Sequence, residues 1–370
     1  MILLPHYLRK LEKVTYSVLG LMSGTSLDGL DMALCTFNFE QGSWSYRIEK
    51  AETYNYPDFW KDKLAGAMEL STIGLLEIHR DFARLSSEQV KLFLLSSKVQ
   101  PDLIASHGHT VFHQPAKGIT VQIGDGAIIA AETGITTICD FRSTDVALGG
   151  QGAPLVPIGD HLLFSEYAAC LNLGGIANIS YEKDGNRLAY DVVPCNIPLN
   201  KLATSMGMAY DAEGRVARRG AVNDVLLSQL NALSYYRLSH PKSLGMEWIL
   251  ADMNPLLEAS SASAQDKLRT LVEHTAMQIA RSVEHLSFSN KHGLLITGGG
   301  ALNSFLIERI CDLVPMRVHL PDLTTIQFKE ALIFAFLGVL RMRGEVNTLA
   351  SVTGARLDSC GGSVYAGARV

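Results

Sequence analysis

The chain has 370 residues, 47% of them hydrophobic and 19% charged, with 32 basic against 37 acidic side chains and a formal charge of −5. At about 150 residues per domain that supplies two to three cores, and the apolar content excludes a disordered chain. No block of like charges offers the clustered Lys and Arg that a nucleic-acid partner requires, so none is expected. Six scattered cysteines without a C-x-x-C pair fit a reduced, cytoplasmic setting and suggest neither a structural zinc nor a redox motif. The longest strongly apolar run, residues 331–340, is ten residues long, against about 20 for a bilayer crossing. It reads as a buried helix face, and no membrane partner is expected.

Residues 16–22 form an apolar run ending in a glycine cluster, apolar positions alternate through 30–39, and after a turn at Gln41-Gly42-Ser43 residues 44–56 read as a third strand. The opening is an antiparallel meander. Residues 58–70 and 72–97 read as helices, the second with Leu75, Leu76, Ile78, Phe82, Leu85, Val90, Phe93 and Leu94 broadly at helical spacing, stopped by Pro101. Short strands at 103–106, 119–123 and 135–141, with a helix at 126–133, indicate an α/β sheet. Gly and Pro enrichment at 149–157 puts a domain boundary near 142–155. The expected domains are 1–145 and 146–370, with the C-terminal segment free to return to the first.

Residues 168–173, 176–181 and 187–193, with a hairpin turn at Lys183-Asp184-Gly185-Asn186, repeat the opening in outline. Two copies of one βββ unit are therefore expected. A helix near 201–206, a polar loop through Gly220 and a helix near 222–233 follow. The clearest helix spans 265–288, with Leu268, Leu271, Val272, Ile279, Val283 and Leu286 on one face and Gly293 at its exit. A strand at 294–297, a helix at 303–313, a strand at 318–320 and a broad-faced helix at 327–342 complete the pattern.

Ser23-Gly24-Thr25-Ser26-Leu27-Asp28-Gly29 packs three hydroxyls, two glycines and a carboxylate into one turn after an apolar strand. Such a turn suits a polyphosphate with a metal ion, its N–H and hydroxyl groups donating to phosphate oxygens and Asp28 holding Mg²⁺ directly or through water. A hydroxyl-rich hairpin turn has the same composition. Thr297-Gly298-Gly299-Gly300-Ala301-Leu302-Asn303 and Leu173-Gly174-Gly175 are further strand-end glycine clusters where a nucleoside or phosphate could approach backbone closely. Ser106-His107-Gly108-His109-Thr110-Val111-Phe112-His113 has no zinc-binding spacing. It reads as a structural loop or as histidine donors toward a polar substrate such as a sugar. Asp191 ends a strand where a general base could project, or it is a turn residue. Glu330 opens the last helix, where a glutamate ordinarily compensates the helix dipole.

Taken together these segments resemble one family, the 1,6-anhydro-N-acetylmuramic acid kinases of bacterial cell-wall recycling. The resemblance is carried by Gly20 through Asp31, Ser106 through Val111, Gln122-Ile123-Gly124-Asp125, Asp140-Phe141-Arg142, Gly149 through Pro157, Asn172 through Ile179, Thr297 through Asn303 and Lys329-Glu330-Ala331, in order along the chain. It implies a two-domain, actin-like ATPase (ribonuclease H-like) fold with ATP in an interdomain cleft and, in the family, a homodimer. It also implies the reaction: ATP, water and 1,6-anhydro-N-acetylmuramic acid give N-acetylmuramic acid 6-phosphate and ADP. Asp191 matches the family's base, which activates water at C1. The resemblance further implies that Gly24, Thr25, Ser26, Leu27, Asp28, Gly29, Leu30 and Asp31 hold the phosphates and Mg²⁺. Gly174, Gly175, Gly298, Gly299, Gly300 and Asn303 would pass near the nucleotide. Thr110, Arg142 and Glu330 match sugar-pocket positions, to which His107 is added, and the planar fork of Arg142 suits the lactyl carboxylate.

The sequence departs from the family at the base motif, Asp-Thr-Gly-Pro-Gly-Asn, which here reads Asp191-Val192-Val193-Pro194-Cys195-Asn196. Two β-branched residues cannot offer a phosphate the approach that Thr-Gly allows. A kinase for another anhydro-sugar and a non-catalytic nucleotide- or sugar-binding relative are the alternatives this departure raises.

Overall fold

A computed structural model describes residues 14–24, 26–286 and 291–367. The chain falls into two compact units: one holds the described residues up to Leu163 together with those from Phe328 onward, and the other holds Phe164–Gln327.

The first unit opens with β1 (Thr15–Ser23), β2 (Gly29–Glu40) and β3 (Ser43–Asn55), followed by α1 (Asp58–Ala65) and α2 (Thr72–Leu95). Then come β4 (Leu103–Gln114), β5 (Ile119–Ile123), α3 (Gly126–Thr133), β6 (Thr137–Cys139), α4 (Ser143–Ala147) and α5 (Val156–Leu163). Ser71 caps α2 by accepting from Gly74 N, and Asp125 caps α3 by accepting from Ala127 N at 2.8 Å, which is why both helices start where they do. β1 is paired antiparallel to β2 and parallel to β4, and consecutive residues 18–21 are buried, so both its faces are covered and its apolar run is continuous rather than alternating.

The second unit contains β7 (Ala169–Leu173), β8 (Ile176–Lys183), β9 (Asn186–Pro194), α6 (Asn196–Ser205), α7 (Arg215–Arg219), α8 (Asp224–Asn231), α9 (Met246–Trp248), α10 (Asn254–Ala259) and α11 (Ala264–Val283). β10 (Leu294–Thr297), α12 (Ser304–Leu313) and β11 (Val318–His319) follow. Asp184 and Gly185 both take positive φ, 50° and 77°, the backbone that a tight β8–β9 hairpin needs. α13 (Leu323–Arg343) carries the chain back, and α14 (Ala350–Thr353) and β12 (Ser363–Tyr365) finish the first unit.

Among the described residues the strand orders are β12-β6-β4-β1-β2-β3, with β5 on β4, and β11-β10-β7-β8-β9. Each sheet is thus an antiparallel trio whose first strand continues into parallel neighbours, the ribonuclease H-like order of actin-type ATPases. The duplicated βββ unit read from the sequence is present in both.

Several expectations change. The histidine segment is no loop: β4 runs from Leu103 to Gln114 because β5 pairs with its second half. α9, α10 and β12 have no counterpart in the periodicity, and residues 287 and 288 of the expected helix 265–288 lie outside the described residues. The division falls at Leu163 rather than near residue 145, because Gly150 to Gly152 hang on the Asp145 side chain and Gly159 of α5 packs on Ile333 of α13. Residues from Phe328 return to the first unit.

Residues 331–340 of α13 are fully buried, and its apolar surface runs all the way round because sheet covers one face and helix another. Its length and composition alone would let it cross a membrane, but 78% of the relevant window is buried inside the protein. Two glycines allow its close approach to the sheet. A Cβ on Gly20 would overlap the Ala331 carbonyl oxygen, and one on Gly338 would lie 2.7 Å from Ala105 Cβ. Gly20→Val is therefore expected to destabilise the protein by about 3 kcal/mol, read as a drop in the urea midpoint at constant slope.

Candidate active site

In the first unit, β1 ends at Ser23 and β2 begins at Gly29, so the hydroxyl-rich segment is the connection between two paired strands. Leu27 takes φ 60° and donates to the Gly24 carbonyl at 3.4 Å; Ser26 and Asp28 are exposed. Thr25 lies outside the described residues. Gly29 and Leu30 are buried strand residues, and the Tyr54 carbonyl occupies the space a Gly29 Cβ would need, so this glycine serves strand packing. Asp31 is half-buried and accepts from Thr53 Oγ1 at 2.6 Å; burial, aided by the charge of Asp28, pushes its carboxyl up.

Beneath the turn lies a buried polar network. The Tyr56 hydroxyl donates to Ser23 Oγ at 2.8 Å, and Ser23 Oγ lies 3.0 Å from His109 Nδ1. Burial pushes His109 down to about 4, so the ring is neutral and fixes the end of β1 without a charge of its own.

His107 is 5% exposed and lies under Arg142. Arg142 Nε and Nη2 both donate to His107 Nε2, at 3.1 and 2.8 Å, and Nη1 donates to the Gly152 carbonyl at 2.6 Å. Burial and the adjacent guanidinium push His107 down to about 3, so it remains an acceptor throughout the working range. It therefore orients Arg142 instead of presenting a donor to substrate, which corrects its place among sugar ligands. Of five guanidinium N–H groups three are engaged, leaving one on each Nη. Gly152 is held in turn by Asp145, whose Oδ2 accepts from Gly152 N and whose Oδ1 accepts from Thr353 Oγ1, both at 2.7 Å.

Glu330, on α13, keeps solvent access. The protein around it, with the charge of Asp31, pushes its carboxyl up against the opposing pull of Arg142 and Lys329. Lys329 is buried in an ion pair with Asp160 of α5 at 2.7 Å, which anchors α13 where it enters the first unit. Thr110 is half-buried on β4 and accepts from Gln122 Nε2 at 3.3 Å.

In the second unit, a cavity of about 530 Å³ is lined by Asn196, Leu199, Asn200, Tyr210, Asp211, Ala212, Glu213, Val272, Gly299, Gly300, Leu302 and Asn303. A Cβ on Gly298 (φ 83°) would collide with Asn172 and Leu173, and one on Gly300 with Leu173, so these two glycines seat the turn on β7. Gly299 is the one whose Cβ position is open, with Asn196 Nδ2 the nearest atom at 3.8 Å. Asn303 caps α12 by accepting from Leu306 N at 3.0 Å. Gly174 and Gly175 turn their carbonyls to the chain entering α6, accepting from the N–H groups of Cys195, Asn196 and Ile197 at 2.9 to 3.2 Å. That helix start is consequently spoken for. Tyr210, Asp211, Ala212 and Glu213 carried no sequence signal; Asn196 closes the base motif and Asn200 follows it by four residues, which is the only hint of their place.

Asp191 sits on β9 at a bulge: Ala177 pairs with Val193 and Asn178 with Asp191, leaving Val192 extra. Strict alternation would put Asp191 on the same face as Val193, in the core. The bulge buries Val192 and Val193 together, 3% and 0% exposed, and turns Asp191 half-exposed. Cys195 is also wholly buried. The departures from the family motif therefore pack into the core. Burial pushes the Asp191 carboxyl up, and the Leu244 N–H, donating to Oδ2 at 2.9 Å, partly offsets this.

His107, His109 and buried His274 of α11, the last also pushed down to about 3 by burial, are neutral when folded and protonate below about 6.5 when unfolded. The unfolded state thus binds more protons as pH falls, and stability drops from pH 6.5 toward 4. Thermal melting across that range should show the decline, and His274→Gln should flatten part of it.

A family model described as anhydro-N-acetylmuramic acid kinase matches residues 16–367. Proteins named anhydro-N-acetylmuramic acid kinase are 38% identical in Vibrio cholerae and 36% in a Sulfurovum species, each comparison covering 94% of this chain and 98% of the relative. One from Pasteurella multocida is 35% identical over 96% of this chain and 98% of its own length. Among solved structures, a Plasmodium falciparum glycerol kinase with ADP superposes with a TM-score of 0.44 at 10% identity, over 95% of this chain and 94% of that one. So loose a superposition carries no argument, and the fold rests on the strand orders above.

Proposed function

We propose the reaction of this chain from an established premise: it belongs to the anhydro-N-acetylmuramic acid kinase family. It phosphorylates 1,6-anhydro-N-acetylmuramic acid with ATP while opening the anhydro bridge. The observation that supports this most directly is the bulge that turns Asp191 out of the core face into a half-buried position. A 1,6-bridge leaves O6 without a proton for an ordinary kinase base to remove, so the base must act on water. Water attacks C1 and loses a proton to Asp191, the C1–O6 bond breaks, and O6 takes the γ-phosphoryl group as its bond to ADP breaks. The products are N-acetylmuramic acid 6-phosphate and ADP. A carboxyl raised by burial retains more basicity than an exposed one, which suits it to take that proton.

Gly24, Ser26 and Leu27 offer the turn to the phosphates, and the second-unit cavity beside Gly299, Gly300 and Asn303 takes the nucleoside. Its walls combine apolar Leu199, Val272 and Leu302 with Asn196, Asn200 and Glu213 as polar partners. The turn also fits Mg²⁺, which takes one or two carboxylates and fills its other positions with phosphate oxygens and water. Exposed Asp28, with Asp31 near enough to sense its charge, would hold it. When bound the ion neutralises phosphate charge. Arg142 directs its two remaining N–H groups to the lactyl carboxylate, and Glu330 and Thr110 meet sugar hydroxyls. That use of Arg142 favours the muramic sugar over an anhydro-sugar without the lactyl group. None of the six cysteines is in a disulfide, which supports a reducing setting.

Purified protein with ATP, Mg²⁺ and the anhydro-sugar in ¹⁸O-water should release ADP and place ¹⁸O at C1. ADP release without label at C1 would sink the hydrolytic route, and sugar binding without ADP release would favour the non-catalytic reading. Asp191→Asn should lower kcat by about 10³-fold while leaving ATP affinity unchanged. Ala212→Trp, which fills the cavity, should raise the KM for ATP about tenfold or more, a loss of one to two kcal/mol of binding, with little change in the sugar KM.

A further inference from the structure

The segment 234–244, between α8 and α9, holds Asp191 at three points. The Tyr235 hydroxyl donates to the Asp191 carbonyl at 2.5 Å, Asp191 N donates to the Lys242 carbonyl at 3.4 Å, and Leu244 N donates to Asp191 Oδ2 at 2.9 Å. The strap is itself locked: Lys242 Nζ lies 4.6 Å from the Tyr235 ring centroid and 5.4 Å from that of Tyr190, and the His240 ring stacks on Tyr190 at 5.7 Å. Tyr235 and Leu244 are buried. The bulge at Val192 frees Asp191 from the core face, and a carboxylate on such a short support could turn either oxygen to solvent.

We propose that this strap is a positioning element for the base. The Leu244 N–H commits Oδ2 and leaves Oδ1, which has no hydrogen-bond partner among the described residues, as the atom that takes the proton from water. This rests on Asp191 being the base. A carboxylate has about four lone-pair sites, and a donor on one oxygen removes the rotational freedom that would otherwise spread the attacking water over two positions. The work falls to a backbone N–H, so any residue except proline could occupy position 244, which explains why no motif marks it. The titratable groups around Asp191 are Tyr190 on its own strand and Tyr235, His240 and Lys242 on the strap.

The test removes the N–H. Leu244→Pro does so, and where proline prevents folding, replacing Leu244 by its α-hydroxy analogue converts the amide to an ester and keeps the side chain. Folding is checked by ATP affinity. Asp191 acts when deprotonated, so kcat falls as the pH drops through its pKa. Without the donor that pKa rises, and the acid limb of the kcat profile moves up by about one pH unit, with the KM for ATP unchanged. A profile that superimposes on the parent overturns the proposal, and so does an equal loss at every pH, which a merely structural role would give. Asp191→Asn separates the two readings. If that variant still turns over, the base assignment itself fails; if it is inactive while the profile of the 244 variant stays in place, only the strap's role fails.

Discussion

The first unit depends on the contact between α13 and β1. A helix can lie this close to a strand only where the strand has no side chain, and Gly20 meets that condition opposite the Ala331 carbonyl. The consequence reaches the chemistry, because Lys329 and Glu330 are the residues just before the contact. The buried Lys329–Asp160 pair fixes them from α5. Buried pairs add little net stability once desolvation is counted, but losing one partner leaves an uncompensated charge. Such a pair sets a position more than it strengthens a fold. Glu330 is thereby brought near enough to Asp31 and Arg142 to feel both charges.

Neutral histidines carry the next layer of organisation. A buried imidazole that cannot charge is a fixed acceptor or donor, and two in the first unit support candidate ligand groups: His109 the hydroxyl-rich turn and His107 the Arg142 guanidinium. The charge belongs to Arg142 alone, whose own pKa burial lowers only to about 10, so it remains cationic. The chain from Thr353 through Asp145 and Gly152 to Arg142 ties the guanidinium to the C-terminal part of the chain by direct hydrogen bonds.

The second unit handles an unusual base motif by a change of parity. Two adjacent valines would break the alternation of a regular strand. At a bulge they are accommodated, since both residues facing one partner point to the same side. Val192, Val193 and Cys195 join the core that also contains Leu199 and Val272, and Asp191 is left half-buried beside it. The Tyr235 hydroxyl, the Lys242 carbonyl and the Leu244 N–H then hold it, the last a function that needs no particular side chain at Leu244.

The sequence by itself determined the repeated βββ units, because burial on one or both faces of a strand writes alternation or a continuous apolar run into the residues, and glycines mark the strand ends. It also carried the hydroxyl-rich turn after β1, the glycine turn before α12 and Asp191 as candidates, since each is a local arrangement of residue types. Tertiary structure alone decided the rest. That His107 serves Arg142 depends on two residues distant in sequence meeting at 2.8 Å. Gly29 and Gly298, which look like ligand glycines, are needed for strand and turn packing. The cavity wall at Tyr210 to Glu213 has no periodicity, and the return of residues from Phe328 to the first unit follows from the Gly20 and Gly338 contacts. Local sequence specifies elements and chemically able side chains; which of them touch is set by long-range packing, and that separates a residue that meets a ligand from one that holds its neighbour in place.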